Sequence, residues 1–364
     1  MRILYSSPDL IKISVKSIGS TSKELEPVYC LIGLPDKNLP NFDVTYVNQM
    51  ILNDIPHPEF PLGNSWIQSQ NLKGLNTGTF MISPITSEGT AYHEVQVSIY
   101  ISSPTSPSKI EINPKIELFL KNRVLNWEHS KNWLHPNFNK RNKNLNDIPD
   151  FTQQLISDDT EYVIIGPNEF YLEIIPLISL RNNSVYPINT VFVSLDSIYQ
   201  HYGNGETEAS KIKLFFQDVL YISQEILIYG LLVGDVPIIP TMYEGNFASD
   251  DLYVTFDGGI PEIILGRFPA KSVFDVTAFV NKVIQYETEP EFGLWKQNVT
   301  IVADDESRPY SNDTTHTSHS EELSGMIPPQ LNVEKIYLME YPESNDASIY
   351  GVTKPEATEV FFDK

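Results

Sequence analysis

The chain has one thiol, Cys30, and seven histidines. A thiolate with an imidazole in reach could attack a carbonyl carbon, so these residues are weighed first. Cys30 lies in Val28-Tyr29-Cys30-Leu31-Ile32, an apolar run with strand character. A lone cysteine there reads as a small buried hydrophobe, and catalysis by it is not expected. A single cysteine also excludes an internal disulfide and any multi-thiolate metal site. His316-Thr317-Ser318-His319 spaces two imidazoles three residues apart. On a helix they would share a face, and with carboxylates nearby they could bind zinc. Without an HExxH pattern they read as exposed histidines in a polar loop. Gly203-Asn204-Gly205 reads as a turn, because no Gly-Lys-Ser/Thr follows to make it a phosphate loop.

The carboxylates are the larger resource. The 364 residues hold 25 Lys+Arg against 47 Asp+Glu, a net charge of −22. Residues 1–150 hold fourteen of each sign, so residues 151–364 hold 25−14 = 11 basic and 47−14 = 33 acidic side chains and carry the whole excess. That half has no basic stripe to replace phosphate counterions, which argues against nucleic acid as a partner. It favours cations, and calcium is the usual client of clustered carboxylates. The plainer reading is a solvated acidic surface that aids solubility. Hydrophobic residues at 41% and aromatics at 11% suffice for a core. No apolar run approaches the ~20 residues of a membrane-spanning helix. The start, Met1-Arg2-Ile3-Leu4-Tyr5-Ser6, has no signal-peptide apolar core. The expectation is either an intracellular protein or a chain that does not begin at its natural N-terminus.

The elements that must position these groups fall into two parts. Residues 1–155 read as a β-rich domain, with a β-sandwich or similar two-layer sheet as the simplest form. Period-two alternation predicts strands at Ile11–Val15, Val95–Ile101 and Lys115–Leu120. Asn126 to Pro149 reads as a long loop or linker. Residues 156–364 alternate strands with helices. Strands are predicted at 161–166, 190–195, 228–235, 262–266, 299–304 and 333–338. Helical spacing marks 170–180, with Pro176 a kink or early stop, and also 212–220 and 273–284. Repeating βα units imply a mostly parallel, doubly wound sheet with sites at the carboxyl ends of its strands, where Gly234-Asp235 and Asp304-Asp305-Glu306 fall. Trp295 is expected in the core or near a pocket.

A series of short motifs then becomes specific. Leu231-Leu232-Val233-Gly234-Asp235-Val236-Pro237 is followed by Ser249-Asp250-Asp251-Leu252-Tyr253, Asp257-Gly258-Gly259-Ile260-Pro261-Glu262 and Gly266-Arg267-Phe268-Pro269-Ala270. Trp295, Val302-Ala303-Asp304-Asp305 and Asn332-Val333-Glu334-Lys335-Ile336 complete it. In order and spacing, roughly residues 160–364 resemble the gingipain family of cysteine peptidases, closest to its sortase-like members of type IX secretion. The N-terminal part is only loosely similar to the β-rich prodomains or N-terminal domains of that family.

The resemblance implies a caspase-like α/β fold and peptide-bond hydrolysis by a Cys–His dyad on polypeptide substrates, in a secreted or surface protein. The family's His follows a strand in a His-Gly pair, and its Cys ends the next strand. Both lie downstream of the segment resembling Gly351–Ala357. No His-Gly pair occurs in this sequence, and Cys30 lies outside the matching region. The chain therefore reads as lacking the dyad, as truncated before it, as inactive alone, and as marginal, aggregation-prone or in need of a partner. The resemblance also implies a structural calcium held by Asp235, Asp257, Glu262 and His319, with His316 competing for the last place. The alternative is a non-catalytic, calcium-stabilised binding or scaffold protein on the same fold.

Overall fold

The computed structural model describes residues 1–17, 25–53, 61–102, 112–134, 144–203, 206–224, 226–256, 260–304, 315–344 and 354–362. The chain forms two compact units, Met1–Glu289 and Pro290–Lys364. The expected domain border at 155/156 lies inside the first.

The first unit begins with strands β1 (Arg2–Ser6), β2 (Leu10–Lys16), β3 (Val28–Leu34), β4 (Asn41–Met50), β5 (Ser65–Leu72), β6 (Leu75–Ile82) and β7 (Ala91–Tyr100). They pair antiparallel in two sheets, ordered β1-β2-β7-β4 and β3-β6-β5. Alternation decides what each sheet buries. Ile11, Ile13 and Val15 of β2 and Val95, Val97 and Ile99 of β7 face one core with Ile32 and Leu34 of β3 and Phe80 and Ile82 of β6. The two-layer β architecture is as the sequence predicts.

The strand predicted at 115–120 is instead helix α1 (Pro114–Lys121). Asn113 caps it by accepting from the Lys115 N–H, and Pro114 occupies its first turn. Ile116, Phe119 and Leu120 have helical spacing and pack on the core, so the alternation misled. The predicted linker also differs. Its start is the short helix α2 (Trp127–Ser130) and a 3-10 turn, and Trp127, Trp133 and Leu134 are buried in the same core. Residues 135–143 lie outside the described residues.

Helix α3 (Asp150–Leu155) leads into β8 (Tyr162–Gly166), α4 (Tyr171–Asn182), β9 (Thr190–Ser194), α5 (Leu195–His201), α6 (Glu208–Ile222) and β10 (Tyr229–Val233). A small hairpin, β11 (Tyr243–Glu244) and β12 (Phe247–Ala248), precedes β13 (Ile264–Phe268) and α7 (Val273–Thr288). Pro176 lies inside α4 without ending it. The parallel sheet runs β13-β10-β8-β9. Alternate residues of its strands bury opposite faces. Val163, Ile165 and Leu232 meet Phe215, Phe216 and Val219 of α6, while Ile164, Leu231 and Val233 meet Ile174 of α4 and Val276 and Val280 of α7. Helices thus cover both faces, as βα alternation predicts.

The second unit holds β14 (Asn298–Ala303), α8 (Thr315–Met326), β15 (Asn332–Tyr337) and α9 (Pro355–Phe362). The two strands pair in parallel from Asn298↔Asn332 to Ala303↔Tyr337. Lys335 of β15 binds both oxygens of Glu321 on α8, at 2.8 and 2.7 Å. Trp295, expected in the core or near a pocket, is 46% exposed on the turn before β14 and so not in the core, with the Lys296 ammonium 5.4 Å from its ring centre. Among the described residues, no helix is long and apolar enough to cross a membrane.

Candidate functional site

The chain goes from β8 outward to β9, then returns to β10 on the other side of β8 and on to β13. The order therefore reverses between β8 and β10. In open α/β sheets the crevice outside the carboxyl ends at such a reversal is the favoured place for a ligand. Here those ends are Gly166 and Val233-Gly234. A Cβ at Gly166 would come 3.0 Å from the Val233 carbonyl oxygen, which explains why β8 ends on glycine. A Cβ at Gly234 would come within 2.9 Å of both Ile238 and Ile239, so glycine also lets the next turn fold back tightly.

That turn, Gly234 to Pro240, is held by Arg267 of β13. Its Nη1 donates to the carbonyls of Gly234 and Ile239, both at 2.8 Å, and its Nη2 reaches Pro240 at 3.4 Å. Nε and Nη2 also grip the two carboxylate oxygens of Asp250 at 2.7 and 2.8 Å. Tyr253 donates its hydroxyl to the Pro240 carbonyl. Burial works against the Arg267 charge, but the Asp250 carboxylate outweighs it and holds the guanidinium above its ordinary value. The Tyr253 phenol is pushed up to about 12, chiefly by burial. The result is a rigid carboxyl-edge loop with its carbonyls fixed.

Asp235 stands on this edge. Its N–H donates to the Ala270 carbonyl, its Oδ1 accepts from the Val236 N–H at 2.8 Å, and Lys271 Nζ lies 3.5 Å from Oδ2. Glu262 does not join it. It is buried (3% exposed) just before β13, with its N–H on the Val254 carbonyl, and β13 runs from there to the level of Asp235. The five residues of β13 alone span roughly 13 Å at ~3.3 Å per step. The two carboxylates thus occupy opposite edges of the sheet and cannot share one ion. Asp257 lies outside the described residues. His316 and His319 are exposed on α8 of the second unit, on a helix rather than the expected polar loop. Among the described residues, no three His, Cys, Asp or Glu side chains gather as a metal would require. The described ligands therefore do not fit the implied calcium, nor do the two histidines gain the carboxylates that zinc would need.

Cys30 is buried in β3, with Sγ 3.5 Å from the Phe80 carbonyl oxygen, and burial pushes its thiol up to about 12. At neutral pH it is a thiol, as its apolar setting predicts. Sequence reasoning quoted Asp250 and Arg267 but missed their pairing. An arginine one residue from the end of a strand in an apolar sheet was the available signal, since its charge needs a partner.

The model of peptidase family C25 matches residues 156–364, more than half of the chain. No curated protein matches. Among solved structures, the complex of pro- and mature domains of RgpB from Porphyromonas gingivalis has 21% identity and a TM-score of 0.41, covering 49% of this chain and 42% of that one. Dimeric latent PorU from Porphyromonas gingivalis has 12% identity and a TM-score of 0.31, covering 79% of this chain and 36% of that one. The chain thus spans less than half the length of these two structures.

Proposed function

The chain belongs to peptidase family C25, and from that membership we propose that residues 156–364 form a caspase-like scaffold for cysteine-peptidase chemistry on polypeptide substrates. The family match over the stretch that builds the parallel sheet carries this reading. In such chemistry a thiolate attacks the peptide carbonyl, an imidazole protonates the leaving amine, and backbone N–H groups hold the oxyanion. The part this chain supplies is positional. The loop from Gly234 to Pro240, fixed by Arg267, borders the crevice where a polypeptide would lie.

Residues 1–364 are proposed not to turn substrate over by themselves. Cys30 belongs to the β-sheet core and is held as a thiol, and no His-Gly pair occurs in the sequence. That placement of Cys30 also favours the second reading, a non-catalytic binding scaffold on the peptidase fold. A secreted or surface location and a link to type IX secretion are proposals from the same resemblance.

The test uses the purified chain with an unfolded protein as substrate. No new peptides are expected by mass spectrometry, and slowed amide hydrogen exchange is expected across Val233–Pro240. Peptide release abolished by Cys30→Ala would overturn the inactivity. Unchanged exchange at the loop would overturn the polypeptide site.

A further inference from the structure

The tip of the β5–β6 hairpin is buried, which is unusual for a loop tip. Leu72 pairs with Leu75 across a two-residue turn, Lys73-Gly74, in which both residues have positive φ, +50° and +88°. That is the backbone of a type I′ turn, which favours Asn-Gly and tolerates lysine poorly. Leu72 and Leu75 are fully buried, and Lys73 is only 4% exposed. Its ammonium donates to the Leu227 carbonyl at 2.6 Å and lies 5.6 Å from the ring centre of Phe119. A buried ammonium is costly unless such partners are fixed in place.

Leu227 stands two residues before β10, and other contacts fall on the same edge. Ile228, 1% exposed, completes the β-sandwich core, with Tyr229 and Ile260 packed against it. Lys115 of α1 reaches Glu161, one residue before β8, at 2.6 Å, and the Pro187 carbonyl, ahead of β9, at 2.8 Å. These partners precede each of the four parallel strands. The neutral half supplies the lysines, and the acidic half supplies the carbonyls and the carboxylate.

We propose that residues 1–134 are a permanent half of the first unit, plugged through the Lys73-Gly74 turn into the amino edge of the parallel sheet, and not a detachable segment that blocks a site. The carboxyl ends at Gly166 and Gly234 lie on the opposite edge of the sheet, so the seat does not occupy the proposed polypeptide site. That last consequence rests on the proposed function, whereas the seating does not.

Lys73→Asn separates the alternatives by sign, because asparagine suits the turn better but cannot reach Leu227. In the full chain it is expected to lower the melting temperature by several degrees; an unchanged or higher value would overturn the plug. A second measurement leaves Lys73 intact. A site-specific protease sequence is inserted after Asn146, on an exposed turn. After cutting, the two fragments are expected to co-elute in gel filtration in native buffer. Their separation would overturn the proposal. Neither readout uses peptidase activity, so failure here is distinct from failure of the proposed function.

Discussion

Arg267 and Asp250 meet side by side, Nε to Oδ2 at 2.7 Å and Nη2 to Oδ1 at 2.8 Å, and the remaining guanidinium N–H groups take the carbonyls of Gly234, Ile239 and Pro240. All five donors of one arginine are thereby used. The pair joins β13, the turn after β10 and the segment after the small hairpin into one rigid corner of the carboxyl edge.

Removing either partner should therefore cost more than a surface ion pair. Asp250→Ala leaves the mostly buried guanidinium without its carboxylate, and Arg267→Lys replaces a planar fork by a point charge. About 3 kcal/mol of destabilisation is expected for Asp250→Ala. Urea unfolding measures it, and a loss below about 1 kcal/mol, the range of exposed pairs, would show the corner to be loose.

Cys30 should be inert in the folded chain. With its thiol pushed up to about 12 by burial, little thiolate exists at pH 8. Iodoacetamide is expected to label it only after denaturant is added. Labelling in native buffer at the rate of a free thiol would contradict its burial.

Acid should loosen both ends of α7. The Arg181 guanidinium holds the Glu287 carboxyl below its usual range through a two-oxygen contact, and the Lys271 N–H and Ser272 hydroxyl do the same for Asp275. Both folded values are depressed, so both contributions are fully present above the ordinary carboxylate range, at about pH 4–4.5. They are lost as pH falls through the lowered folded values. Glu287→Gln should flatten the acid limb of a stability–pH curve, and an unaltered limb would remove the pair from the account.

Calcium should not stabilise the described arrangement. Asp235 and Glu262 stand on opposite edges of the sheet, and Asp235 already receives the Val236 N–H with Lys271 nearby. Melting temperatures in calcium and in chelator are expected to coincide. A rise with calcium, abolished by Asp257→Asn, would place a site at Asp257.

Much of the scaffold was legible because it is local. Strand alternation and βα repetition follow from side-chain direction, and β8, β9 and β10 appear where apolar runs predict them. Lys115–Leu120 was misread because its apolar residues satisfy both periods over so short a run. Asn113-Pro114, a cap and a first-turn proline, carried the deciding signal. Whether Trp295 lies in the core was not legible, because composition says nothing about which large side chains find a partner surface.

By itself the sequence determined the β-rich and α/β halves, the acidic imbalance, the inert setting of Cys30 and the family. Each depends on residue type and short-range spacing. Only tertiary structure decided that Glu262 and Asp235 are kept apart by the length of β13, that Arg267 closes on Asp250, and that Lys73 is buried against Leu227. Those relations join residues 17 to 154 positions apart. Strand register and the packing of one half on the other fix such distances, and no local pattern encodes them.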